Sequence, residues 1–381
     1  MNEERTQAYL NLIQQLLNCA SNPEVVYPLL QNNLDKLDET FGEILYEWAK
    51  ESFPTLSSEQ AKARAADIVA FGNLIQQMPL GNRESNLENG IKAYKSALKV
   101  YTREAFPLEW AKTQNTLGLA YWNRIRGERA ENLETALACY KSALKIRTRK
   151  KYPMQWAMTK NNLGLIYRDR IKGDKAKNLE RALICFQQVL KVFTPENDIA
   201  KYATANNNLG TAYNDRIKGD RAENIEKAIA CFDEALKVRT YKDFRYEWAT
   251  TQNDRGNAYF DRIKGDRGNN LNQVIECYQN VLKVYTREAD PLKWAATQNN
   301  LGTAYSELIK ENRAENLKKA IACYKDALQV RTCEADSLKW AMTQNNLGTA
   351  YFLLGKEYKN LEEKAETLEE AAKNLEEAIA C

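Results

Sequence analysis

The sequence predicts an all-α chain, a solenoid of helical hairpins stacked in series, and three observations carry that expectation. One pattern returns at a fixed step of 46 residues, and self-similarity at such a period marks a chain built from one repeated supersecondary unit. Inside each period, apolar residues recur every three to four positions, the spacing of one face of an α-helix. Prolines number 8 and glycines 16 in 381 residues, too few for the frequent tight turns of a strand-rich fold.

The elements follow in chain order. Residues 1–61 lie outside the repeat and read as an N-terminal helical cap. Tyr9, Leu12, Ile13, Leu16 and Leu17 form one stripe; after the start signal Asn22-Pro23, a longer one runs through Leu30, Leu34, Leu37, Phe41, Ile44, Leu45 and Trp48. Residues 62–107 read as a degenerate first repeat that keeps Gly72, Tyr94 and Leu98 in register but has Arg64 and Ile75 where later units carry tryptophan and tyrosine.

Residues 108–354 form the array of 46-residue units. Trp110, Trp156, Trp248, Trp294 and Trp340 mark the step, with Tyr202 at the one departure, and a glycine (Gly118 to Gly348) and a tyrosine (Tyr121 to Tyr351) repeat in every unit. Trp110, Leu117, Gly118, Tyr121 and Ile125 share one stripe, helix A; Leu133, Ala136, Leu137, Tyr140, Ala143 and Leu144 share another, helix B. Pro107, Pro153 and Pro291 suit the first turn of helix A, Gly127 its C-cap, and Asn132 the N-cap of helix B. The tryptophans are expected to fill the joint between consecutive hairpins. One hairpin cannot bury its own stripe, whereas a stack can.

Residues 355–381 read as an incomplete last repeat carrying a 12-residue insertion rich in Glu and Lys. The chain stops at Cys381, in the slot that Cys323 holds in the middle of helix B. A solenoid closes on a polar helix, so the expectation is the front part of a longer polypeptide.

Leu117-Gly118-x-x-Tyr121 and Ala136-x-x-x-Tyr140-x-x-Ala143-Leu144 resemble the signature of the tetratricopeptide repeat family. The resemblance implies a right-handed superhelix whose A helices line a concave groove. The period of 46 exceeds the family's by two insertions, as in kinesin light chains, and Gln114 stands where the family has an aromatic. The unit Pro-Leu-x-Trp-Ala-x-Thr-Gln-Asn-Asn-Leu-Gly-Thr-Ala-Tyr is also similar to repeats of bacterial, especially cyanobacterial, proteins that precede a caspase-like CHAT protease domain. That similarity implies a sensor or regulatory array, with an intramolecular C-terminal domain as one possible partner.

The composition excludes much chemistry. With no histidine in the chain, neither a Ser-His-Asp triad, nor a Cys-His dyad, nor a histidine-ligated metal site can form. The eight cysteines contain no CxxC spacing and are expected to be free thiols in a reducing compartment; five of them, from Cys139 to Cys323, keep the 46-residue step, which makes them a packing position. No P-loop, GxGxxG, zinc spacing or EF-hand loop is present. The polar N-terminus lacks an apolar signal region and nowhere do 18 apolar residues run together. The expectation is a cytoplasmic, non-enzymatic protein without cofactor, metal or membrane span.

Residues 81–354 carry a net charge of +14 between acidic ends, much of it from the recurring turn Arg-Ile-Lys-Gly-Asp-Arg. This is either a solvated edge or a surface for an acidic partner; nucleic-acid or ribonucleoprotein binding is the alternative function it suggests.

The most informative polar feature is a row on helix A: Asn115, Asn161, Asn207, Asn253, Asn299 and Asn345. Asparagine is a mediocre helix former, so six copies call for a reason. Either each amide fixes the stacking of neighbouring repeats, or the row faces the groove and pairs with the backbone of an extended peptide. One turn further on, the groove-facing positions that the family resemblance implies include Trp122, Arg168, Asn214, Phe260 and Phe352. Uniform amides would grip a main chain while these varied residues select side chains, and the function expected is a scaffold that binds a protein or peptide segment.

Overall fold

The computed structural model describes residues 3–19, 22–309, 312–358 and 361–380. Among them are seventeen α-helices and no strand, the all-α architecture expected. Two compact units divide the chain, Met1–Phe193 and Thr194–Cys381. The first holds α1 (Glu3–Cys19), α2 (Pro23–Gln31), α3 (Glu39–Ser52), α4 (Ser58–Gln77), α5 (Arg83–Ala97), α6 (Pro107–Asn123), α7 (Arg129–Ala143), α8 (Pro153–Asp169) and α9 (Lys175–Val189). The second holds α10 (Ile199–Asn214), α11 (Arg221–Val238), α12 (Arg245–Phe260), α13 (Arg267–Leu282), α14 (Pro291–Glu307), α15 (Arg313–Leu328), α16 (Cys333–Glu357) and α17 (Leu361–Ala380). Within each unit the helices pair as antiparallel hairpins in series, α4–α5, α6–α7 and α8–α9, then α10–α11, α12–α13, α14–α15 and α16–α17. The even-numbered member of each pair is its A helix.

Each hairpin closes on a glycine. A Cβ on Gly118 would stand 2.9 Å from the ring of Tyr140, and one on Gly164 only 2.6 Å from Phe186; the missing side chain is what lets the B-helix aromatic lie flat on helix A. Proline occupies the first turn of α6, α8 and α14 as expected. The turn glycines Gly127, Gly173, Gly219 and Gly265 have φ between 75° and 83°, a conformation that costs a residue with a Cβ.

Four local expectations are corrected. Asn132 is not an N-cap: α7 starts at Arg129, and Asn132 sits buried inside it, donating from Nδ2 to the Arg126 carbonyl at 2.8 Å. The helices after the later turns are capped instead by Asp174, Asp220 and Asp266, whose side chains accept backbone N–H bonds. Ile125 lies past the end of α6 and is 56% exposed. In the cap, the five residues of the first stripe are all buried, but the second is broken into α2, a 3₁₀ turn and α3, leaving Leu34 exposed. Gly127 is not the C-cap of α6, a place that Arg124 takes. The tryptophans are half-buried; Trp248 packs against the cluster of Val281, Val284 and Tyr285 in its own hairpin and edge-on, at 5.4 Å, against Tyr241 in the turn from the preceding one.

The joint between hairpins is made in three places by an arginine. Arg147 and Arg239 are buried at the end of helix B and donate to Thr159 Oγ1 (3.1 Å) and Thr251 Oγ1 (2.8 Å) on the next A helix; Arg331 reaches Thr343 in the same way. Among the described residues six cysteines are free, Cys139, Cys185 and Cys277 of them buried, whereas Cys333, against the expectation of free thiols throughout, is disulfide-bonded. The stretch 361–380 forms the long, Glu-rich helix α17. Cys381, on which the expectation of a truncated helix rested, lies outside the described residues.

Candidate functional site

The asparagine row first ties A helices to one another. Asn162 Nδ2 donates to Asn115 Oδ1 (3.5 Å), Asn207 Nδ2 to Asp254 Oδ2 (2.9 Å) and Asn346 Nδ2 to Asn299 Oδ1 (3.3 Å). Each bond spans 47 residues, from one A helix to the next. Most of the row is half-buried; Asn207 is buried with its Oδ1 unpartnered, and Asn345 is exposed. One amide therefore serves stacking and still offers a polar edge along the face.

The varied positions behave individually. Trp122 Nε1 donates to Asp169 Oδ2 (3.0 Å) on the next A helix, and Arg168 Nε holds the other oxygen of that carboxylate (3.0 Å). Asn214 has a buried Oδ1 without a partner. Phe352 is 43% exposed beneath the ammonium of Lys356. Phe260 is half-buried, with the Arg267 guanidinium 4.7 Å from its ring centre.

Phe260 also lines a cleft of about 260 Å³ together with Asn257, Asp261, Tyr278, Asn300 and Thr303. Helices α12 and α14 form its walls and α13 supplies Tyr278, whose hydroxyl donates to Asn257 Oδ1 at 2.7 Å. An aromatic face beside amide and hydroxyl groups is the lining that orients a ligand side chain. Of the residues expected from the sequence, only Phe260 is brought into this cleft; the other five were missed. The signal was a break in the repeat: α12 carries Asp254, Arg255 and Asn257 where α14 carries Asn300, Leu301 and Thr303. Arg255 turns this break into a local network, bonding Asp233 Oδ1 (2.7 Å) and stacking over Tyr259.

The basic turn edge is largely spent inside the fold. Arg124, Arg170 and Arg262 each make two bonds to a glutamate of the preceding hairpin, Glu88, Glu134 and Glu226, at 2.6–2.9 Å. These hydrogen bonds hold the Glu134 and Glu226 carboxyls below their ordinary range. Among the described residues, no helix is long and apolar enough to cross a membrane and no group of three Cys, Asp or Glu is placed to hold a metal.

Residues 110–147, 156–196 and 294–331 match the family model of the tetratricopeptide repeat. These three stretches, each within a helical hairpin and the turn that follows it, thus carry the tetratricopeptide repeat. No curated protein matches it in sequence. Among solved structures, it is similar to a signal-transduction ATPase with a tetratricopeptide repeat sensor from Pyrococcus horikoshii, at 15% identity and a TM-score of 0.56. That match covers 99% of this chain and 53% of the other, so the chain spans about half of that protein. It is also similar to the apo form of RapI, at 15% identity and a TM-score of 0.50, covering 83% of this chain and 98% of that one. At these identities the likeness is one of fold.

Proposed function

We infer that this chain is a non-catalytic, cytoplasmic scaffold that binds an extended segment of another protein along its A-helix face. The cleft between α12 and α14 carries the reading: it places Phe260 and two asparagine amides around a space sized for one side chain. The half-buried asparagines Asn115, Asn161, Asn253 and Asn299 supply the repeated main-chain contacts, and Trp122, Arg168, Asn214, Phe260 and Phe352 the selective ones. The tetratricopeptide repeats of the Pyrococcus protein are named a sensor, and a sensing role suits this array.

A peptide library displayed against the full chain tests the reading. Enriched sequences are expected to bind Phe260→Ala about tenfold more weakly than the unaltered protein, the loss from removing one aromatic anchor, with helicity unchanged by circular dichroism. Equal affinity for both would show that the ligands bypass this face.

The finer reading, that the array regulates a caspase-like CHAT domain in a bacterial protein, rests on the similarity of the repeats alone. It expects a domain bearing cysteine and histidine encoded in frame after residue 381. Nucleic-acid binding through the turns remains the alternative, and its mark would be affinity falling steeply with salt; the pairing of Arg124, Arg170 and Arg262 with glutamates weighs against it.

A further inference from the structure

The slot that helical spacing assigned to the core at Ile125 holds a solvent-exposed isoleucine at five A-to-B turns. Ile125, Ile171, Ile217, Ile263 and Ile309 are 56%, 60%, 61%, 64% and 75% exposed. Scattered apolar residues are ordinary on a surface, but one β-branched residue recurring in the same slot of five turns is a row, and a row marks a contact. The bend does not require it. Gly219 and Gly265 supply the positive φ, and Asn224 and Asn270 tie the turn from inside by donating to the Lys218 and Lys264 carbonyls.

The charges around the row decide what fits it. In the second unit Arg262 is held by Glu226. Arg221 reaches back to the Asn214 carbonyl and to Asp261, and Arg267 to the Phe260 carbonyl and Glu307. What the turns present outward is one isoleucine, one lysine (Lys218, Lys264) and one aspartate (Asp220, Asp266), all exposed. Such a set is self-complementary: under a two-fold rotation isoleucine meets isoleucine, and the lysine of one copy meets the aspartate of the other. An anionic lipid surface would attract the lysine and repel the neighbouring aspartate.

We propose that the turn edge of the second unit, built from Ile217, Ile263 and Ile309 with Lys218, Lys264, Asp220 and Asp266, is the surface through which two copies of this chain associate. The contact is separate from the A-helix face and does not depend on a ligand there.

Sedimentation equilibrium of the full chain tests it. The unaltered protein is expected to pass from monomer to dimer with rising concentration, and the variant Ile217→Ser/Ile263→Ser/Ile309→Ser to need about a tenfold or higher concentration for the same dimer fraction. A change of charge checks the pairing. Lys218→Asp/Lys264→Asp and Asp220→Asn/Asp266→Asn, the latter keeping the caps of α11 and α13, are each expected to stay monomeric where the unaltered chain dimerises, with circular dichroism confirming that both fold. A chain that is monomeric at every concentration overturns the proposal, as does a dimer that ignores the isoleucine changes. Binding of a monomeric chain to phosphatidylglycerol vesicles, lost in the isoleucine variant, would assign the row to a membrane and overturn it equally.

Discussion

The hydroxyl of Tyr140 is buried without a partner, and the repeat explains why. In three other hairpins the same tyrosine donates to an acceptor 21 residues earlier: Tyr94 to Asn73 (2.8 Å), Tyr278 to Asn257 (2.7 Å) and Tyr324 to Thr303 (3.2 Å). At that slot α6 has Leu119, while α9 and α11 avoid the problem with Phe186 and Phe232. A stranded buried hydroxyl costs about 1–3 kcal/mol. Tyr140→Phe is therefore expected to raise stability to urea by about 1 kcal/mol, whereas Tyr278→Phe, which strips Asn257 of its donor, should lower it by about as much. A loss at both positions would mean that Tyr140 has a partner in solution.

Helix A and helix B approach closely because glycine faces an aromatic ring, and this sets the sign of a substitution that helix propensity alone would favour. Alanine is better than glycine in a helix by about 1 kcal/mol. At Gly164, however, the new Cβ would meet the Phe186 ring at 2.6 Å, against 3.0 Å for Gly256 and Tyr278. Overpacking costs about 1–3 kcal/mol, so Gly164→Ala should destabilise clearly and Gly256→Ala less, measured as shifts in the urea midpoint. The B-helix cysteines give a second prediction. Burial pushes the Cys139, Cys185 and Cys277 thiols up to about 11 and those of Cys231 and Cys323 up to about 12, from 9.0. Above pH 9 the unfolded chain loses these protons before the folded one does, so the stabilisation present below that pH is lost as pH rises toward 11 and 12. Urea midpoints should hold below pH 9 and fall beyond it; a flat profile would mean the thiols are not buried.

Element faces were legible in the sequence and element ends were not. The spacing from Trp110 placed Leu117, Gly118 and Tyr121 correctly, all three buried. It then ran on to Ile125, because periodicity does not register that α6 stops where Arg124 swings to Glu88 and Asn132. Asn132 looked like a cap by residue type, yet its amide bonds backward to the turn. The cleft beside Phe260 was illegible for another reason: its lining comes from three helices, and only the irregularity of α12 pointed to it.

One register slot after helix B holds Tyr101 and Arg147 in the first unit and Arg239, Tyr285 and Arg331 in the second, so arginine and aromatic side chains take the same position within each unit. Arg239 is 6% exposed, and its guanidinium donates to Thr251 and Thr204 at 2.8 Å each. Burial lowers its pKa, the sign of a cation that gives up hydration. Replacing a buried charge by a well-packed apolar group is often neutral or stabilising, while leaving a hole is not. Arg239→Tyr, which borrows the residue of neighbouring joints, is expected to keep the thermal midpoint or raise it, and Arg239→Ala to lower it. Because a stacked array is stabilised by nearest-neighbour interfaces, hydrogen exchange in the alanine variant should quicken in α10, α11 and α12, which meet at this joint, and stay unchanged in α1 to α5. Faster exchange throughout the chain would mean that the hairpins unfold as one cooperative body and that the joint is not a local coupling.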